Sequence, residues 1–174
     1  ATCNPGDNVA VESPAFYGVL QLLESLGLNI VEIPSHPDTG IDVDALAVAT
    51  SRWSIKALVV TPSFATPSGA CIPEENRRQI IAIANQNEMV VVEDDIYGEL
   101  GFQIQLSPLK SLDVENRVIL CGSFSKCLSR DLRIGWIVGG KWHSKIIQLK
   151  LVTLLASNQS QQQGLASYLA EGYL

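Results

Sequence analysis

Short apolar runs bounded by turn residues alternate along this chain with longer stretches whose apolar positions recur every three or four residues. Asn4-Pro-Gly-Asp7 reads as a turn and Asn8-Val-Ala-Val-Glu-Ser13 as a strand. A helix follows from Pro14-Ala-Phe-Tyr-Gly18 to about Leu26, with Val19, Leu20, Leu22, Leu23 and Leu26 directed to a core. Gly27, a residue favoured just past a helix end, stops it. Leu28–Ile33 is the next strand, His36–Gly40 a loop, and Asp42 to about Thr50 a short helix. Lys56–Thr61 is nearly all apolar, as expected of a strand covered on both faces. After the turn-rich Pro62–Gly69, Pro73-Glu-Glu opens a helix to about Gln86. Proline suits its first turn, and the acids complement the helix dipole. Its buried stripe is Ile80, Ile81, Ile83 and Ala84. Glu88–Glu93 is a strand ending at Asp94-Asp-Ile-Tyr97, Gln103 to Asn116 a polar loop, and Val118–Cys121 a further strand. Arg133–Gly139 follows too soon for a helical crossover, so it is expected to run antiparallel to its neighbour. Two helices, about Ser144–Ala156 and Gln161–Glu171, close the chain. The apolar face of the first (Ile146, Ile147, Leu149, Leu151, Val152, Leu154, Leu155) is broad enough to bury deeply or to form a subunit contact.

This alternation predicts an α/β three-layer sandwich with a mostly parallel sheet and one antiparallel strand. In such sheets ligands bind outside the carboxyl ends of the strands. The 174 residues amount to about one domain. With 47% hydrophobic and 17% charged residues the composition is globular. A net charge of −6 argues against this segment gripping nucleic acid by itself. His36 and His143 lack metal-ligand spacing, and Cys3, Cys71, Cys121 and Cys127 form no C-x-x-C pair, so no metal site is indicated. No apolar run is long enough to span a bilayer and no signal peptide is visible, which reads as a cytoplasmic protein with reduced thiols and no membrane contact. The chain begins Ala-Thr-Cys-Asn without an initiator methionine and reads as a piece of something longer.

Chemistry-bearing residues gather at the strand ends. Phe16 and Tyr17 follow one strand, Thr61 to Gly69 another, Asp94 and Tyr97 a third, and Ser123 to Lys126 a fourth. An amine buried past a strand end loses charge readily and becomes a nucleophile toward carbonyls. Small hydroxyl residues and a guanidinium, as at Ser123, Ser125 and Arg133, suit a phosphate. Aromatic plate, carboxylate, phenol, amine and anion cradle together match a phosphorylated pyridine aldehyde.

At these positions the chain resembles the fold-type I pyridoxal-phosphate enzymes, specifically the class I/II aminotransferase family, over essentially its whole length. Ser123-Phe-Ser-Lys126 with Leu132-Arg133-Ile-Gly-Trp136 is similar to the family's Schiff-base lysine segment. The resemblance implies Lys126 as the Schiff-base lysine and proton shuttle, with Ser123, Ser125 and Arg133 as phosphate ligands. Glu93-Asp-Asp-Ile-Tyr97 resembles the Asp-x-x-Tyr segment, which assigns Asp94 to the pyridine nitrogen and Tyr97 to the ring oxygen. Asp95 is a rival for the first role, although adjacent strand residues point to opposite faces. Glu12-Ser-Pro-Ala-Phe16-Tyr17 resembles the segment with the stacking aromatic, implying Phe16 ahead of Tyr17. The cofactor implied is pyridoxal 5'-phosphate, with an amino acid and a 2-oxo acid as substrates and a homodimeric full-length protein.

Two departures stand out. Thr66-Pro-Ser-Gly69 replaces the family's Asn-Pro-x-Gly, leaving the Thr66 hydroxyl to reach for the ring oxygen. The upstream glycine-containing phosphate loop and the downstream small domain are missing, so residues 1–174 are expected to be part of the cofactor-binding large domain. The same segments also resemble the aminotransferase-like effector domain of MocR-type regulators of the GntR superfamily, which would contact DNA only through an N-terminal domain outside this sequence.

Overall fold

The structure, a computed structural model, describes residues 1–102 and 107–173. Its centre is one seven-stranded sheet in the order β3-β2-β1-β4-β5-β6-β7. The strands are β1 (Asn8–Ser13), β2 (Asn29–His36), β3 (Gly40–Ile41), β4 (Ile55–Val60), β5 (Val90–Asp94), β6 (Val118–Ser123) and β7 (Gly135–Val138). Five of them run parallel, and β7 lies antiparallel to β6, as the short connection requires. A second antiparallel strand was not foreseen. β3 is two residues long and pairs with the end of β2, inside the stretch read as a loop. Gly40, at φ 71°, takes the left-handed turn that folds β3 back.

Helices cover both faces because the strands carry apolar side chains on both. Ala10, Ile33, Leu58, Val91 and Val118 face Leu46 of α2 (Val43–Arg52) and Ile80, Ile81 and Ala84 of α3 (Glu74–Gln86). Val9, Val11, Ala57, Val90 and Ile119 form the opposite face, where Leu23 of α1 (Tyr17–Ser25) packs, with Trp142 and Ile146 against it. Asp42 caps α2 by accepting N–H bonds from Asp44 and Ala45, both at 2.9 Å.

One burial expectation is corrected, and of one pair of alternatives the deep burial is ruled out. On α1, Leu22 and Leu26 are exposed, because the helix rests on the sheet along the line of Val19, Leu20 and Leu23 only. On α4 (His143–Leu154), Ile147, Leu149, Leu151, Val152 and Leu154 are exposed, as is Leu155 after it, and Ile146 alone of that stripe packs on the sheet. α5 (Gln159–Ala170) buries Leu165. The Gln103–Asn116 loop falls partly outside the described residues. Its second half contains a single 3-10 turn, Leu109–Leu112, whose Leu109 is fully buried.

Candidate functional site

The parallel register brings the carboxyl ends of β1, β4, β5 and β6 to one edge of the sheet. Asp94 is the last residue of β5 and lies beside Cys121 of β6. Burial pushes its carboxyl above the usual range, against a hydrogen bond from the Ile96 N–H. Asp95, the next residue, lies just past the strand. The Asp94 charge bears on Glu12 and Cys121, and burial raises the Asp95 carboxyl too, against the positive charge of Arg77, with its oxygens over Gly98. The Asp95 carboxylate oxygens occupy the space a Cβ on Gly98 would need, so that glycine makes room for them.

Tyr97 begins the single turn that follows β5, and Lys126 reaches it from the turn after β6. The Lys126 Nζ lies 5.4 Å from the centroid of the Tyr97 ring. Two motifs nearly thirty residues apart in sequence thus meet in space. Lys126 itself is exposed rather than buried.

Beside the lysine, the Ser123 and Ser125 hydroxyls are 2.9 Å apart, and Ser123 Oγ also accepts the Ser125 N–H at 3.1 Å. The Phe124 N–H donates to Ile134 O at 3.1 Å, which brings the exposed Arg133 next to this turn. Arg133 is left-handed (φ 50°, ψ 35°), a conformation non-glycine residues rarely adopt. The Trp136 indole lies against Gly122, its register partner on β6, and 5.0 Å from the Phe124 ring. A side chain at Gly122 would occupy the volume of that indole. Phe16 is half-exposed, 4.6 Å from the Tyr17 ring, and covers Gly18. Thr66 stands on the loop after β4, on the same edge of the sheet.

The comparisons with known proteins agree with one another. The model of the family "Aminotransferase class I and II" matches residues 1–171. The chain belongs to that family. This family member is 38% identical over 174 residues to the Escherichia coli uncharacterized HTH-type transcriptional regulator YjiR, covering 99% of the chain and 37% of YjiR. It is 32% identical to aromatic-amino-acid aminotransferase 1 of Thermococcus litoralis, covering 98% of the chain and 42% of that enzyme. The crystal structure of Pyrococcus horikoshii kynurenine aminotransferase, solved with PMP, superposes with a TM-score of 0.93 at 34% identity, covering 99% of this chain and 44% of that one. The chain therefore spans well under half the length of these relatives.

Sequence reasoning passed over the buried charged residues Glu12, Glu93 and Arg77 of this aminotransferase-family chain. Glu12 is 5% exposed and accepts the Thr61 N–H at 2.9 Å. Burial pushes its carboxyl up to about 7, with the nearby Asp94 adding to the rise. Glu93 is fully buried and accepts N–H bonds from Leu109 at 2.6 Å and Lys110 at 2.9 Å, and burial pushes it up to about 7 as well. Arg77 is fully buried on α3. One signal for it was available. It falls at helical spacing from Ile80, Ile81 and Ala84, so it is a charge on an apolar stripe, and such a charge must find buried partners.

Proposed function

We propose that this chain is part of the cofactor-binding large domain of a pyridoxal-phosphate-dependent aminotransferase that moves amino groups between an amino acid and a 2-oxo acid. The observation that carries it is the approach of Lys126 Nζ to the Tyr97 ring, with Asp94 at the adjoining strand end. The donor set fits the cofactor. A carboxylate suits a protonated ring nitrogen, a phenol the ring oxygen, paired hydroxyls with a guanidinium a phosphate, and an amine an aldehyde. When bound, pyridoxal phosphate supplies an aldehyde to combine with amines and a ring that draws electrons from the adjoining carbon.

The chain's own groups prepare that site. The Asp94 carboxylate would hold the proton at the ring nitrogen, and the Tyr97 hydroxyl would donate to the ring oxygen with Thr66 beside it. Ser123, Ser125 and Arg133 would bind the phosphate, and Phe16 would stack on the ring. Lys126 Nζ would carry the substrate's proton as general base and then acid. The residues that close over the exposed Lys126 would come from outside this segment, including a second subunit of a homodimer. A cytoplasmic location is part of the same reading.

A specific observation favours a second reading, that of a pyridoxal-phosphate-binding effector domain of a MocR-type regulator. Both YjiR and YdcR of Escherichia coli are described as HTH-type transcriptional regulators, at 38% and 37% identity over nearly the whole chain. Thr66 in place of asparagine is consistent with a sensor that does not need rapid turnover.

One experiment tests both. The full-length protein is mixed with pyridoxal phosphate and its absorption recorded before and after borohydride, alongside Lys126→Ala. The expected result is a yellow band fixed covalently to Lys126 and lacking in the variant. Turnover of added amino acids then marks the enzyme, and a spectral shift without turnover the sensor. No band in the full-length protein overturns both readings.

A further inference from the structure

The loop that carries Thr66 is held at its neck from two sides by buried ionisable side chains that the reading above leaves without a role. Arg77 has no exposed surface. A guanidinium removed from water destabilises the fold unless its N–H groups find acceptors. Here Nε donates to Ile72 O at 2.7 Å and Nη1 to Ser107 O at 2.8 Å, while Nη2 donates to Pro62 O at 2.8 Å and Ser63 Oγ at 3.0 Å. Three of these four acceptors belong to the two ends of one loop, Pro62 to Ile72. The Ile72 N–H closes the same neck on Pro62 O at 2.9 Å, and the Ala65 N–H bonds Ala70 O at 2.9 Å nearer the tip. Thr66 lies just beyond. On the other side, Glu12 of β1 holds the first residue of the connection through the Thr61 N–H.

The backbone between clamp and tip is strained. Phe64 follows the clamped Ser63 with φ 56°, a left-handed conformation that costs a bulky residue about 1 kcal/mol or more and persists only where its surroundings enforce it. A methionine or leucine at position 77 would suit the apolar stripe of α3 without any desolvation of charge. An arginine there is explained by what its fork holds.

We propose that Arg77 and Glu12 are positioning residues that preset the Pro62–Ile72 loop, so that Thr66 meets the cofactor ring without first being ordered. The proposal rests on the pyridoxal-phosphate reading above. Lysine cannot replace the arginine, because a single ammonium lacks the planar fork that spans Ile72 O, Pro62 O and Ser63 Oγ together.

The test is a double-mutant cycle in the full-length protein, with pyridoxal phosphate affinity measured by equilibrium dialysis for wild type, Arg77→Lys, Thr66→Ala and the double variant. Each single change is expected to weaken binding on the order of tenfold, and the double variant no more than the weaker single one, because Arg77 acts through Thr66. The pH midpoint of the yellow band in Arg77→Lys should move to that of Thr66→Ala, a readout that general loosening of the fold would not align. Additive losses, with the double variant on the order of a hundredfold weaker, overturn the clamp. If Arg77→Lys does not fold, Ser63→Ala takes its place in the cycle under the same criterion, since it removes one acceptor and leaves Arg77 its carbonyl partners. A wild-type protein that binds no pyridoxal phosphate overturns the cofactor reading and this proposal together. Binding in wild type with additive losses overturns the clamp alone.

Discussion

Replacing Glu12 by glutamine should make the protein more stable, and only on the alkaline side. Burial lifts the Glu12 carboxyl from 4.5 to about 7 in the folded chain. A folded-state pKa above the unfolded one means that the folded chain binds the proton more tightly. Its contribution is therefore fully present below pH 4.5 and is lost as pH rises through about 7. At about 1.4 kcal/mol per pH unit, the interval from 4.5 to about 7 is worth about 3 kcal/mol. Glutamine keeps an acceptor for the Thr61 N–H but does not ionise. Its added amide N–H groups need a buried partner, a cost of about 1–2 kcal/mol that does not vary with pH. The stability of Glu12→Gln minus that of wild type should thus rise by about 3 kcal/mol between pH 4.5 and pH 8, starting slightly negative and ending positive. Urea unfolding of the cofactor-free full-length protein at several pH values measures it, and taking the difference cancels groups common to both proteins. A difference that stays constant over this range would refute the burial argument, leaving Glu12 ionised and solvated in the native state.

Asp113 accepts three bonds, from Lys110 Nζ at 2.8 Å, the Arg117 N–H at 2.9 Å and the Val118 N–H at 2.8 Å, and its side chain is fully buried. Asp113→Ala leaves the mostly buried Lys110 ammonium only the Val118 O acceptor at 2.9 Å, with no counter-charge, and should cost about 3 kcal/mol in the same denaturation assay. Gly122→Ala pushes the Trp136 indole off β6, with an expected loss of about 1–3 kcal/mol and a changed near-ultraviolet circular dichroism signal from that ring. Thr66→Asn, which restores the longer side chain, should tighten pyridoxal phosphate binding by about fivefold, the worth of one added hydrogen bond, in equilibrium dialysis.

Much of the molecule could be read from local pattern. The apolar runs of β1, β4, β5 and β6 and the periodic stripe of α3 sit close to where they were expected, because periodicity and turn residues are properties of neighbours in sequence. The direction of β7 followed from the length of its connection alone. Placement of Lys126, Asp94, Tyr97 and Ser123 at strand ends followed from the same pattern once the sheet was parallel. β3 escaped notice because two residues carry no period, and its pairing depends on Gly40 turning the chain.

Burial on α1 and α4 could not be read in this way. An apolar stripe names the face a helix can bury, but whether Leu22 or Leu151 is covered depends on what lies against it, which is a long-range property. The same holds for the buried charges. Glu12 and Thr61 are far apart in the chain, and Arg77 gathers acceptors from Pro62, Ile72 and Ser107. The sequence by itself determined the α/β order, the parallel core and the residues offered at the sheet's carboxyl edge, since each rests on local periodicity and connection length. Only the tertiary structure decided that Lys126 reaches Tyr97, and that the buried Glu12 and Arg77 hold the ends of the loop of Thr66. Those outcomes depend on desolvation and on hydrogen bonds between residues that only folding brings together.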